Sequence, residues 1–245
     1  MGVCFAFLFF QVQMKNKNEE VPQVRENTSE TQEMQSSSKR EEKELIHVFQ
    51  ISSTNTLATF EYSKTPKHIS EWTDEEEGIV INGAYFLEDF SPAGFLMVNN
   101  EKMGAILFDQ DKSGLVVIED GKLSIRDLEM FPIQKTEKFE YAMQSFPFLI
   151  KNSKPAIASD SGKKAQRTAI GVDAKNNVYV LVVVDQQISL YEFMKEIQKF
   201  PISFTTVLNL DGGPSTGIYV NWNGEEFFSD SFTPVSSIVR WKKRS

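Results

Sequence analysis

Val207-Leu208-Asn209-Leu210-Asp211-Gly212-Gly213-Pro214-Ser215-Thr216-Gly217 begins as an apolar strand and ends as a turn. Alternate residues of a strand share a face, so Asn209 and Asp211 emerge on the same side. Two glycines then remove the wall beside Asp211. That pair is costly unless the backbone needs positive φ or must approach another group closely. Its successive N–H groups could also form a concave nest for an anion. A plain Asp-Gly hairpin turn is the alternative, but the flanking Asn209, Ser215 and Thr216 make it less persuasive here.

Three other segments place polar residues at the ends of apolar runs, where sites are grafted onto rigid scaffolds. Asn82-Gly83-Ala84-Tyr85-Phe86 follows the run Gly78 to Ile81; taken alone it reads as an ordinary Asn-Gly turn. Gln144-Ser145-Phe146-Pro147 sets an amide and a hydroxyl beside a proline-fixed bend. Arg167, in Gln166-Arg167-Thr168-Ala169-Ile170-Gly171-Val172-Asp173, opens a strand that turns apolar within two residues. It is either a rim residue or an anion clamp, since a guanidinium fork matches phosphate or carboxylate.

Around these segments short β-type runs recur: residues 58–62, 78–81, 95–98, 105–108, 115–118, 169–172 and 178–184. Asp120-Gly121 and Asn176-Asn177 read as tight hairpin turns. Tyr179 to Val184 is apolar on both faces and reads as a central strand. Two helices interrupt the strands. One is expected from Pro66 to about Glu76, with Thr65 as its cap. The other spans Ser189 to Phe200, where Ser189 and Glu192 have capping-box spacing and Leu190, Phe193, Met194 and Ile197 share one face. The class is α+β: a β-rich, mixed-sheet core with a few packed helices, in a single domain over residues 45–245. Ahead of it, residues 1–13 read as a signal peptide or truncated signal-anchor, too short for a span of roughly 20 apolar residues. Residues 14–44 are polar, lack aromatics and read as a disordered tether. That layout suits an extracytoplasmic protein, with a membrane engaged only through the N-terminal anchor.

Composition removes several chemistries. The 245-residue chain carries a net charge of −8, which is poor for binding nucleic acid. Its one cysteine, Cys4, lies in the leader, so the domain has no disulfide, cysteine nucleophile or thiolate metal site. The two histidines, His47 and His68, read as structural and as part of a solvated helix face. The chemistry left is that of carboxylates, amides and arginine, with no metal of the soft-ligand kind. A hard divalent cation at Asp211 and Asn209 is the one cofactor the residues leave open. No dinucleotide fingerprint, phosphate loop or nucleophile elbow is present.

The four segments, in this order, resemble the phosphodiester glycosidase family. Asn82-Gly83-Ala84-Tyr85-Phe86, Ser91-Pro92-Ala93-Gly94-Phe95, Gln144-Ser145-Phe146-Pro147, Arg167-Thr168-Ala169-Ile170-Gly171 and Asn209 to Ser215 carry the likeness, with Thr233 to Ile238 similar to the closing strand. Ala84 and Phe146 stand where family members have glycine. The resemblance implies hydrolysis of the glycosidic bond of a sugar-1-phosphodiester, tied to a cell-envelope or exopolysaccharide glycan. It implies Asp211, Arg167 and Asn82 as catalytic residues. Gly83, Tyr85, Gln144, Ser145, Thr168, Asn209, Gly212, Gly213 and Ser215 would bind the carbohydrate phosphodiester. A second carboxylate would be Asp173 or Glu88. The rival readings are a non-catalytic extracytoplasmic glycan-binding module and a tethered structural domain without a small ligand.

Overall fold

Along the strand Val178–Ile188 the side chains divide cleanly between two hydrophobic clusters. Val178, Val180, Val182 and Val184 enter the larger cluster, while Tyr179, Leu181 and Val183 enter a second one. A strand with apolar residues on both faces must be covered on both faces, and this one is. The helix Leu190–Ile197 covers one side with Phe193, Met194 and Ile197. Its start is set by Ser189, whose Oγ accepts from Glu192 N at 3.1 Å, while Ser189 N donates to Glu192 Oε2 at 2.8 Å. The expected capping box is therefore present.

The computed structural model describes residues 45–51, 56–73 and 76–244. The expected leader and tether, residues 1–44, lie outside the described residues. The strands form three sheets. In the first, Val178–Ile188 pairs with His47–Ile51 on one side and Ala165–Asp173 on the other. Ala165–Asp173 then pairs with Phe204–Asn209, which pairs with Phe148–Lys151. The second sheet runs Glu225–Ser229, Ile218–Trp222, Gly78–Asn82, Val235–Lys243, Thr56–Lys67. The third is centred on Tyr141–Ser145, between Leu96–Val98 and Gly114–Glu119. The larger cluster draws on all three sheets: Val180 and Leu208 from the first, Ile81 and Trp241 from the second, Val116 and Met143 from the third. Asn209, Asn82 and Ser145, each the last residue of its strand, come from three different sheets.

The β-rich class with few helices is what the chain adopts, but every strand pairing among the described residues is antiparallel rather than mixed. Asp120-Gly121 turns with φ of 51° and 74°, joining Gly114–Glu119 to Lys122–Asp127. The turn at Asn176 is longer than expected. Asp173 closes it by accepting from Lys175 N and Asn177 N, each at 2.8 Å. The helix expected from Pro66 shrinks to one turn, Ile69–Trp72. Pro66 instead ends the edge strand Thr56–Lys67, a position that tolerates a missing N–H. His68 precedes the turn, donates its N–H to Glu71 Oε2 and sits with Nδ1 2.8 Å from Ser231 O. It is thus a fastener between segments rather than part of a helix face. His47 is half-buried and stacks on Phe227 at 4.2 Å.

Ala105–Phe108 is not a strand, and one side chain explains how that stretch does without a partner. The Gln144 Oε1 accepts from Leu107 N at 2.9 Å and Phe95 N at 3.2 Å. Its Nε2 donates to Leu107 O at 2.9 Å and Lys112 O at 2.7 Å. The amide mimics a neighbouring strand, satisfying backbone groups that could not be buried alone. Replacing Gln144 with Leu keeps the volume and leaves four backbone groups short of a partner. We expect a loss of about 2–4 kcal/mol by urea denaturation, with faster hydrogen exchange at Leu107. Unchanged exchange at that amide would contradict the brace.

Candidate active site

The strand Gly78–Asn82 ends beneath the turn that begins at Asp211. Asn82 is wholly buried and its amide ties three segments together. Nδ2 donates to Asp211 O at 2.7 Å, and Oδ1 accepts from Thr168 Oγ1 at 2.7 Å and Gly217 N at 3.3 Å. Gly83 follows because a Cβ there would meet Ser237 Oγ at 2.7 Å. Its carbonyl accepts from Asp211 N at 3.4 Å. The turn itself uses its two glycines differently. Gly212 is extended and a Cβ on it would lie 2.9 Å from Gln166 O; Gly213 has φ of 62°. Both reasons for a Gly-Gly pair, close approach and positive φ, are thus present in one turn.

Asn209 fixes the other side. Its Nδ2 donates to the Tyr85 hydroxyl at 2.7 Å, to Leu210 O at 2.6 Å and to Phe146 O at 3.1 Å. Its Oδ1 is buried with no hydrogen-bond partner. Tyr85 donates to Phe146 O at 3.0 Å, and the two rings stack with centroids 4.5 Å apart. Phe146, where family members have glycine, therefore forms a wall beside Tyr85. Lys112 Nζ lies 5.5 Å from the same ring.

Asp211 is partly exposed, yet burial pushes its carboxyl up to about 6. Hydrogen bonds from the Ser215 side chain and from Gly212 N, at 2.9 Å, act in the opposite direction and only partly offset it. Arg167 is half-buried, and burial lowers its pKa. Its guanidinium bonds carbonyls alone: Nε donates to Ile188 O at 2.9 Å and one Nη to Lys163 O at 2.8 Å. It has no carboxylate partner among the described residues. Tyr85 feels both charges. Burial first, then Asp211, raises its phenol, while Arg167 lowers it. A carboxylate and a guanidinium thus flank one hydroxyl without pairing with each other.

The residues expected to touch substrate fall into two groups. Tyr85, Arg167, Asp211, Gly212 and Gly213 line a partly exposed surface. Asn82, Gly83, Ser145, Thr168, Asn209 and Ser215 are buried. Gln144 is 2 % exposed with its amide filled by backbone partners, so it is a structural brace and not a substrate ligand. Ser145 and Thr168 are corrected in the same way: Ser145 Oγ donates to Asn209 O at 2.7 Å, and Thr168 Oγ1 is used by Asn82. Asn82, expected to be catalytic, has its amide occupied by Asp211 O, Thr168 Oγ1 and Gly217 N, and so holds the Asp211 main chain. Neither candidate second carboxylate joins the site. Asp173 pins its turn six residues along the strand from Arg167: burial raises its pKa, but hydrogen bonds led by Asn177 lower it overall. Glu88 is exposed on the loop after Phe86. Among the described residues no three of His, Cys, Asp and Glu gather to hold a metal ion. Ser237, whose Oγ accepts from Ala84 N at 3.0 Å, was not singled out in the sequence. A serine beside another in an apolar strand carries no such signal.

The family model for phosphodiester glycosidases matches residues 76–239. A hypothetical protein from Synechocystis has a similar fold, with a TM-score of 0.53 at 14% identity, over 81% of this chain and 59% of that one. This chain thus spans about three fifths of that protein. The zebrafish N-acetylglucosamine-1-phosphodiester alpha-N-acetylglucosaminidase catalytic domain, auto-inhibited by its pro-peptide, is similar at a TM-score of 0.53 and 12% identity. The likeness covers 85% of this chain and 86% of that one. No curated protein matches the sequence.

The raised Asp211 carboxyl makes a stability prediction. Its folded pKa, about 6, lies above the ordinary value, so its contribution is full at low pH and is lost as pH rises through about 6. Asp211→Asn removes that loss. We expect the variant to be more stable than the parent by about 1–2 kcal/mol at pH 8, a discounted figure because the group is partly exposed. The gap should close near pH 4. Thermal denaturation across this range measures it, and a gap that widens toward acid pH would show the sign to be wrong.

Proposed function

Because the chain belongs to the phosphodiester glycosidase family, we propose that it hydrolyses the glycosidic bond of a sugar-1-phosphodiester, releasing the free sugar and a phosphomonoester. The observation that carries this reading is that Arg167 stands beside the Asp211-Gly212 turn, where a Cβ on Gly212 would lie 3.9 Å from the Arg167 Cα, yet bonds carbonyls rather than Asp211. Opposite charges that do not neutralise each other leave each free to act on a bound molecule, Arg167 on an anion and Asp211 on a proton or an electrophilic carbon.

The chemistry follows from the leaving group. Glycosyl transfer passes through an oxocarbenium-like state and is usually served by two carboxylates, one of them an acid for the departing oxygen. A phosphate ester departs as a stable anion and has less need of that acid. It needs positive charge and donors at its oxygens. Arg167 supplies the charge and the backbone N–H of Gly213 a donor, the neighbouring Gly212 N–H being held by Asp211 Oδ1. Asp211, acting as base, takes a proton from water as the water oxygen bonds to the anomeric carbon. The bond from that carbon to the phosphate oxygen breaks, and its electron pair leaves with the phosphate. A single reacting carboxylate is consistent with the distance of Asp173 along its strand and the exposure of Glu88. The glycan context, cell envelope or exopolysaccharide, rests on the sequence reading of residues 1–13 as a leader and 14–44 as a tether, a layout that suits a domain held outside a membrane.

Two measurements test the reading. Asp211→Asn should lower turnover of a chromogenic sugar-1-phosphodiester by about a thousandfold or more, with the fold intact by circular dichroism; near-normal turnover would remove Asp211 from the reaction. Arg167→Ala should cost about a hundredfold on the phosphodiester and far less on an aryl glycoside, and equal losses on both would contradict the clamp. A base must be ionised to act. The parent kcat/KM should therefore fall with decreasing pH through about 6.

A further inference from the structure

A cleft of about 710 Å³ opens on the outer side of the catalytic turn, within the range of roughly 300–1,000 Å³ that ligand sites occupy. Gln166 and Gln187 line it from the first sheet with Lys164 just before it, Gly213 and Pro214 from the turn, and Asp230 to Phe232 from the segment before the closing strand. It shares Gly213 with the turn that carries Asp211, and Gln166 directly precedes Arg167. Its chemistry differs from that of a hydrophobic pocket. Polar side chains and one aromatic ring line it; Gln166 Nε2 donates to Val184 O, Lys164 Nζ to Glu192 and Ser70 to Asp230, and Gln187 is the amide left for a ligand.

That ring is Phe232, 86% exposed. A lone exposed apolar residue is ordinary on a protein surface, and its setting is what distinguishes this one. Thr233 N donates to Pro214 O at 2.9 Å, which fastens the segment to the catalytic turn. On the other side Asp230 accepts from Ser70 Oγ at 2.6 Å and Ser70 N at 3.1 Å, and His68 holds Ser231 O at 2.8 Å. The ring is thus presented on a backbone tied down at both ends. Rigid presentation lowers the ordering cost of binding. A fixed aromatic face beside an amide suits a sugar ring: C–H groups on one face lie on the aromatic ring, and a hydroxyl meets the Gln187 side chain, which both donates and accepts.

We propose that this cleft is a glycan subsite adjoining the reaction centre, with Phe232 as its stacking platform and Gln187 among its hydroxyl ligands. The substrate then extends at least one sugar beyond the unit that carries the phosphodiester: it is an oligosaccharide or polysaccharide rather than a sugar-1-phosphate with a single ring. The proposal rests on the glycosidase reading for which bond is cut, and on the cleft alone for what binds.

The full chain, Phe232→Ala, Gln187→Ala and Asp211→Asn are compared on a glycan array of hexose, N-acetylhexosamine and uronic acid oligomers that lack phosphate. Binding is then titrated on the best oligomer. We expect the parent and Asp211→Asn to bind at least one class alike, Phe232→Ala to bind about tenfold or more weakly, and Gln187→Ala to be weakened to a smaller degree. Phe232 is on the surface, so its loss should leave thermal stability unchanged. In turnover, Phe232→Ala should raise KM for an oligosaccharide phosphodiester with kcat unchanged, and leave a single-sugar phosphodiester unaffected. No binding to any oligomer, or parental binding by Phe232→Ala, overturns the subsite. Failure of the glycosidase reading looks different: oligomer binding that depends on Phe232 with no turnover of any phosphodiester.

Discussion

The side-chain amide of Asn82 joins segments that lie far apart in the chain. It reaches Thr168 from one sheet, the carbonyl of Asp211 from the turn, and Gly217 at the start of the following strand. Two of these partners, Asp211 O and Gly217 N, are main-chain groups beyond strand ends, where the ladder stops and something else must satisfy the backbone, and the third is the hydroxyl of Thr168 within its strand. Buried polar networks of this kind hold a unique arrangement only when every member is paired. Asn82 is therefore the joint at which the second sheet is fastened to the first, and the orientation of the Asp211 main chain follows from it. Asn209 plays a parallel part for the third sheet, through Ser145 and the Phe146 carbonyl.

What this frame holds is an unfavourable electrostatic arrangement. Asp211 is kept where its charge is disfavoured, and Arg167 is left with carbonyls as its partners. A salt bridge between them would relieve both groups and abolish the site. The rest of the molecule, a large core shared by three sheets, supplies the stability against which that cost is set. Sites commonly carry such a deficit, and removing a functional charge often stabilises a protein for the same reason.

Much of the architecture was legible in the sequence where one pattern had one meaning. The continuous apolar run at Val178 to Val184 can only be a strand covered twice, and Ser189 with Glu192 marks a helix start. The four polar segments also converge as their order suggested. What stayed hidden was the destination of side-chain hydrogen bonds. Gln144, Ser145 and Thr168 have the residue types of substrate ligands, yet each is consumed by a backbone or amide partner. Nothing local distinguishes an amide that binds a sugar from one that replaces a missing strand. Pro66 misled for a related reason: a helix-starting proline and an edge-strand proline share their local chemistry, and only the pairing with Val235–Lys243 separates them. Phe232 gave no signal because its meaning depends on Pro214, close in space through Thr233 but distant in the pattern that makes a motif.

The stack of Phe146 on Tyr85 has a consequence for how this site can change. Where a wall is backbone, altering its shape means moving the chain, and the neighbouring strands resist. Here the wall is a side chain standing on a backbone whose carbonyl is already claimed by Asn209 and Tyr85. Shortening residue 146 would open space while those bonds, which arise from the main chain, stay in place. The space beside Tyr85 is thus adjustable by single replacements at one position, uncoupled from the hydrogen bonds that hold Asn209 and Tyr85 in place.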